Sequence, residues 1–199
     1  MKIDLSYLTP DSLETGEFKD VFPDFYKLQN VIENNAWHRR QSVFDHSLKA
    51  LQAFDGYFAK NIERKKNFIH YDLLRIAVLF HDIGKLKALY EEGGKTAAPS
   101  HGPIGGWLIG PMLQKAGFSN DEVMYIASLV TDHILVCDLL ELSVNLKDES
   151  IVEMLKTHRP ETWRDLLFVA YADILGCDTD EEVIKVEIHE RVRLIEELV

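Results

Sequence analysis

One all-α domain is the architecture expected of this chain, on three grounds. Apolar residues recur at helical spacing almost throughout, and no segment alternates with period two between hairpin turns. At 199 residues the chain is long enough to bury roughly 70% of its unfolded surface in a single core, and short for two. Apolar residues make up 46% and charged residues 28%, an ordinary globular balance that excludes disordered and fibrous classes.

Phe44, Leu48, Leu51 and Phe58 form the stripe of a first long helix, and Leu73, Leu74, Ala77 and Phe80 that of a second. Glu91–Ser100, with its Gly-Gly pair and Pro99, reads as the clearest loop. Pro103 suits the first turn of a helix that runs on through Ile104, Trp107 and Leu108, kinks near Gly110-Pro111 and stops at Gly117. Ser119 and Glu122 have capping-box spacing ahead of Ile126, Leu129 and Val130. Asn145–Glu149 is a weaker break. Leu166, Ala170 and Asp173 share a face of a helix beginning after Pro160, and Thr179 with Glu182 caps a last helix through Val186 and Ile195. Trp107 and Trp163 fall on apolar faces and are expected in the core. Neither break resembles a linker, so residues 1–199 form one unit, with its site-bearing core at about 44–175.

Twenty-two Lys and Arg against 33 Asp and Glu give a net charge of −11. Such a surface repels phosphate backbones, which excludes broad nucleic-acid binding. A small phosphorylated ligand reached through a locally basic pocket is still compatible. Cys137 and Cys177 are too few for a disulfide framework and read as small buried hydrophobes. Met1–Ser6 lacks the apolar stretch of a leader, and the longest apolar run, Ile76–Phe80, is too short for a membrane span. A soluble cytoplasmic protein is the expectation.

The chemistry lies in histidines and aspartates embedded in apolar helices. His81-Asp82 follows Leu79-Phe80 directly, and burying two ionisable groups there is costly unless an ion compensates them. His46 lies between Phe44 and Leu48, His133 lies beyond Leu129 and Val130, and Asp173 interrupts a run from Leu166 to Leu175. His101 stands at a loop-to-helix junction. A buried carboxylate or imidazole can be a satisfied core residue, but five on separate helices are hard to explain independently. Lys85, one turn after His81, could neutralise a phosphate, and His38, Arg39 and Arg40 supply local positive charge. Asp45 and Asp132 could orient the histidines that follow them. His70, His158 and His189 have no partner at ligand spacing. No GxxxxGK[ST], GxSxG or HExxH motif occurs.

The order His46, His81-Asp82, Asp173 resembles that of the HD superfamily of metal-dependent phosphohydrolases. Asn34-Asn35-Ala36-Trp37-His38, Val43-Phe44-Asp45-His46-Ser47-Leu48 and Leu79-Phe80-His81-Asp82-Ile83-Gly84-Lys85 are similar to the HD region of bacterial tRNA nucleotidyltransferases. The nucleotide-adding head of those enzymes has no room in this chain. The resemblance implies an HD-type helical domain that hydrolyses a phosphomonoester or phosphodiester of a nucleotide-like substrate. It implies that His46, His81, Asp82 and Asp173 hold one divalent ion, with Asp82 shared with a second held by His101 and His133. Asp82 and Lys85 would serve catalysis, and Lys85, His38, Arg39 and Arg40 the phosphate. Manganese, iron, cobalt, nickel, zinc or magnesium all suit such nitrogen and oxygen ligands. The same order also resembles the ligand set of myo-inositol oxygenase, a di-iron oxidase of that superfamily. A non-catalytic module that keeps the metal for stability is the third alternative.

Overall fold

The computed structural model describes residues 3–61, 70–142 and 148–198. It is a bundle of helices with two small antiparallel hairpins, in keeping with the all-α expectation. Two short helices, α1 (Pro10–Glu14) and α2 (Pro23–Lys27), precede the long α3 (Val43–Lys60), whose start is fixed by Ser42 Oγ accepting the Asp45 N–H at 3.0 Å. Next come α4 (Tyr71–Phe80) and the single turn α5 (Lys85–Ala88). Helices α6 (His101–Lys115), α7 (Asn120–Asp132) and α8 (Ile134–Leu142) follow. The chain closes with α9 (Asp148–His158), α10 (Trp163–Gly176) and α11 (Glu182–Leu198). The break expected at Asn145–Glu149 lies outside the described residues up to 147, and α9 has begun at Asp148.

Two helices are buried on all sides and are therefore central. In α4 every residue from Leu73 to Phe80 is buried, and in α10 every residue from Leu166 to Ala172. Helix α3 packs on both: Phe58, from its predicted stripe, and Tyr57 lie on Phe168, and Phe54 lies on Tyr71. His46, His81, Asp82 and Asp173 therefore start from, or end on, helices packed into the core.

Helices α6 and α7 approach closely because glycine faces the contact. A Cβ on Gly102 would lie 2.5 Å from the Thr131 carbonyl oxygen, and one on Gly84 only 1.9 Å from that of His101. These glycines bring the start of α6 against the end of α7 and against the turn after α4. The Ser119–Glu122 capping box forms in both directions, with Ser119 N–H to Glu122 Oε2 at 2.8 Å and Glu122 N–H to Ser119 Oγ at 3.3 Å. Helix α6 continues through Pro111 and ends where expected, at Gly117 with φ +90°.

Three expectations need correcting. The loop at Glu91–Ser100 is mostly a hairpin, β3 (Tyr90–Glu92) against β4 (Lys95–Ala97), after a first two-residue pair β1 (Ile32–Glu33) and β2 (Gln41–Ser42). Gly93 and Gly94 at φ +59° and +79° supply the positive φ values that a two-residue turn needs, a signal obscured by the charged three-residue strands. Trp107 is 76% exposed rather than core, because Gly102, Gly105, Ile109 and Leu113 form the buried face of α6. Asn120–Leu140, across α7 and α8, is long and apolar enough to cross a membrane by length and composition, although close to half of that window is buried within the protein.

Candidate metal centre

Six predicted side chains converge from five places in the fold. His46 comes from the first turns of α3, His81 and Asp82 from the end of α4, Asp173 from α10, His101 from the start of α6 and His133 from the end of α7. His46, His81, Asp82 and His133 are at most 1% exposed, and the side chains of His101 and Asp173 keep 14% and 19%. The cluster is thus sealed except on the side those two occupy.

The first group is His46, His81, Asp82 and Asp173. His46 Nε2 lies 3.1 Å from His81 Nε2, 3.0 Å from Asp173 Oδ1 and 3.4 Å from Asp82 Oδ2. His81 Nε2 is 3.3 Å from Asp82 Oδ2 and 3.4 Å from Asp173 Oδ1. The second group is Asp82, His101 and His133, with His101 Nε2 3.0 Å from His133 Nε2 and 3.2 Å from Asp82 Oδ1. Ligands about 2.1 Å from one ion stand about 3.0 Å apart at a right angle and about 3.4 Å at a tetrahedral one. Both groups have those spacings, apart from the slightly longer 3.6 Å between His133 Nε2 and Asp82 Oδ1.

Local backbone geometry determines what each ring presents. His81 Nδ1 is 2.7 Å from the Val78 carbonyl, His133 Nδ1 2.7 Å from that of Val130, and His101 Nδ1 2.7 Å from that of Ala98. A carbonyl only accepts, so each Nδ1 carries a proton and donates it, and each ring turns Nε2 into the centre, where its lone pair would serve a cation. His81 and His133 both follow the last residue of a helix, where the carbonyl three residues back has no intrahelical donor. Two lone pairs 3.0 Å apart, facing buried carboxylate oxygens, repel one another unless a cation lies between them. These residues fit one, and the clusters could hold a metal ion.

The electrostatics agree. Burial disfavours the imidazolium of His81, yet Asp82 and Asp173 outweigh it and push the ring up to about 10. Burial works to raise both carboxylates, but Lys85 and His81 hold Asp82, and His81 and His46 hold Asp173, well below the usual range. Burial, with His81 and His101 nearby, pushes His133 down and keeps it neutral. The centre therefore carries two carboxylate charges and concentrates positive charge on the spot a cation would take.

Lys85 is buried and grips two carboxylates, with its Nζ 2.7 Å from Asp82 Oδ2 and 2.9 Å from each oxygen of Glu33. It lines the adjoining cavity, but its charge is largely committed, so it serves first to hold Asp82. Glu33 was not singled out in the sequence, since its partner lies 52 residues away and only its place beside Val31 and Ile32 hints at burial. His38 is buried too, its ring 4.8 Å edge-on from that of His46 and its Nδ1 2.7 Å from Gln41 Oε1. Arg39 and Arg40 are not brought to this cavity. Arg39 is exposed and pairs with Asp180 at 2.8 Å, and Arg40 points to solvent from φ +50°.

Asp132 does not orient His133 but grips the Arg159 guanidinium at 2.5 and 2.8 Å, and Asp45 is exposed at the start of α3. His70, His158 and His189 join neither cluster. Cys137 and Cys177, expected to be inert core residues, are half-buried and line the cavity, and Cys177 with His38 and His46 forms a third close group. That cavity, about 280 Å³, also takes in Trp37, Asp138 and Arg191 beside Asp82, His101 and Asp173. No protein-family model matches the sequence, and no curated protein matches it.

Proposed function

We propose that this chain is a metal-dependent phosphohydrolase of the HD type, acting on a small phosphate ester at a centre of two divalent ions. The observation that carries the reading is how Asp82 divides its oxygens. Oδ2 faces His46 and His81 at 3.4 and 3.3 Å, while Oδ1 faces His101 and His133 at 3.2 and 3.6 Å. A carboxylate so placed could serve as a ligand to both groups, and a purely structural metal would need only one of them. Ions held there would supply Lewis acidity to a phosphoryl oxygen and to the attacking water.

The chain's own residues do the rest. Lys85 and Glu33 lock the Asp82 rotamer, since Lys85 Nζ ties Asp82 Oδ2 to both oxygens of Glu33. The carbonyls of Val78, Ala98 and Val130 fix three imidazoles in the ligating tautomer. His101 and Asp173 are the ligands that retain solvent access, so a phosphate enters on their side, from the cavity. Burial of the other ligands keeps bulk water from their faces and strengthens each electrostatic contact. Protein purified without a His tag or chelator is expected to carry a stoichiometric divalent metal, and to release phosphate from a panel of monoesters and diesters when metal is restored. Metal-loaded protein inert on the whole panel would refute the reading.

A further inference from the structure

The cavity wall beyond the metal ligands carries an unusual combination of groups. Arg191 of α11 stacks its guanidinium 4.9 Å over the indole of Trp37, and Glu187, one turn earlier, pairs with it. Its charge is therefore held in place, not free to wander. Asp138 of α8 lines the same cavity, is exposed, and has no hydrogen-bond or ion-pair partner among the described residues. Ile134 and Ile174 add apolar surface to the same wall.

Each charge excludes a class of leaving group. A second anion would meet the unpaired Asp138 carboxylate, and a cationic amine would meet Arg191. What both accept is a neutral group rich in hydroxyls, which donate to the Asp138 carboxylate and accept from the Arg191 guanidinium. Two adjacent hydroxyls match the two oxygens of one carboxylate, and the carbon face of a sugar ring suits an indole and two isoleucines. The volume, about 280 Å³, falls just below the usual range for small-molecule sites, and so suits a single sugar-sized group rather than a polymer.

Resting on the phosphohydrolase reading, we infer that the substrate is a phosphomonoester of a sugar or similar polyol, and that Asp138 selects it by binding a free vicinal diol. Trp37 and Arg191 form the platform on which the ring lies.

The experiment compares ribose 5-phosphate with 2-deoxyribose 5-phosphate, which lacks one hydroxyl of the diol. Affinity for each is measured by calorimetry on calcium-loaded wild type and Asp138→Asn, and phosphate release is measured in parallel with manganese. Wild type is expected to bind the ribose ester about tenfold more tightly, the discrimination given by one hydrogen bond to a charged acceptor. In Asp138→Asn the ratio should fall to about one, while circular dichroism shows an intact helical fold. Equal binding of the two esters by wild type, or an undiminished ratio in the variant, would overturn the inference. Diol preference with no phosphate release from either ester or from the wider panel of esters would support the subsite and refute the hydrolase reading.

Discussion

Replacing Gly176 by alanine perturbs the His46 group without altering a ligand. A Cβ at this position would stand 2.9 Å from both Nδ1 and Cε1 of His46 and 3.0 Å from its carbonyl oxygen, where ordinary contact begins at 3.4 Å. The ring has no slack, being fully buried with its Nε2 already 3.0 to 3.4 Å from Asp173, His81 and Asp82. Relief of the overlap requires a movement of about 0.5 Å, and a metal–ligand bond tolerates only about 0.2 Å. Metal affinity should therefore fall about 10- to 100-fold, the usual effect of disturbing the support of a ligand. Stability responds differently. Alanine is favoured over glycine by up to ~1 kcal/mol in a helix, which offsets much of the strain in the metal-free protein. The expected signature is a metal-free melting temperature within a few degrees of wild type, read by circular dichroism, beside a weakened affinity read by chelator competition. Wild-type affinity and stoichiometry in a normally folded Gly176→Ala would remove His46 from the ligand set.

Asp82→Ala should lose both ions and all turnover, because each group loses an oxygen and the ions lose their shared anion, whereas His101→Ala and His133→Ala should each retain about one ion. Metal counting on folded variants decides it, and full metal content in Asp82→Ala would sink the site assignment. Gly84→Ala places a Cβ 1.9 Å from the His101 carbonyl oxygen and 2.6 Å from the Gly105 nitrogen, both backbone atoms that cannot turn away. It should cost at least the ~3 kcal/mol of severe overpacking, about 10 °C in melting temperature, and deplete the His101–His133 group first. In metal-free protein His81 is pushed up to about 10, above the ~6.5 of an unfolded histidine, so its contribution to stability is full below that lower value and disappears as pH rises towards 10. A bound ion takes the place of that proton. Thermal melts from pH 6.5 to 10 should therefore slope downward without metal and flatten with it, and parallel slopes would contradict the assignment.

How far the fold was readable follows from which forces set each part. The helices α3, α4 and α10 were legible because their burial is periodic or complete, and the core repeats that pattern in Phe44, Leu74 and Leu166. The Ser119 cap and the Gly117 stop were legible because they are local. The second hairpin and the face of α6 were not. Gly93-Gly94 sits between strands too short and charged to alternate visibly. Gly102 and Gly105 form a buried face whose signature is absent side-chain volume, which hydrophobic periodicity reads as a gap.

Five of the six clustered residues were legible for an energetic reason that does not apply to the cavity around them. An ionisable group inside an apolar helix is costly alone, so His46, His81, Asp82, His133 and Asp173 each betray a partner in their own few neighbouring residues. Glu33, Trp37, Asp138 and Arg191 bear no such mark. They lie in a short strand, in an exposed turn and on amphipathic helices where their residue types are ordinary, and only the tertiary fold brings them to one wall. One sequence signal does reach further. His81 and His133 each stand just past the end of an apolar helix, where the carbonyl three residues back lacks a helical donor and takes the Nδ1 proton. A histidine in that position has its tautomer set by the helix that precedes it and turns Nε2 away from that helix. Two such ends meeting across Asp82 build much of the centre from backbone geometry alone, which makes the ends of α4 and α7 its rigid frame and leaves His101, held by the Ala98 carbonyl beside the hairpin, as the ligand least constrained by the core.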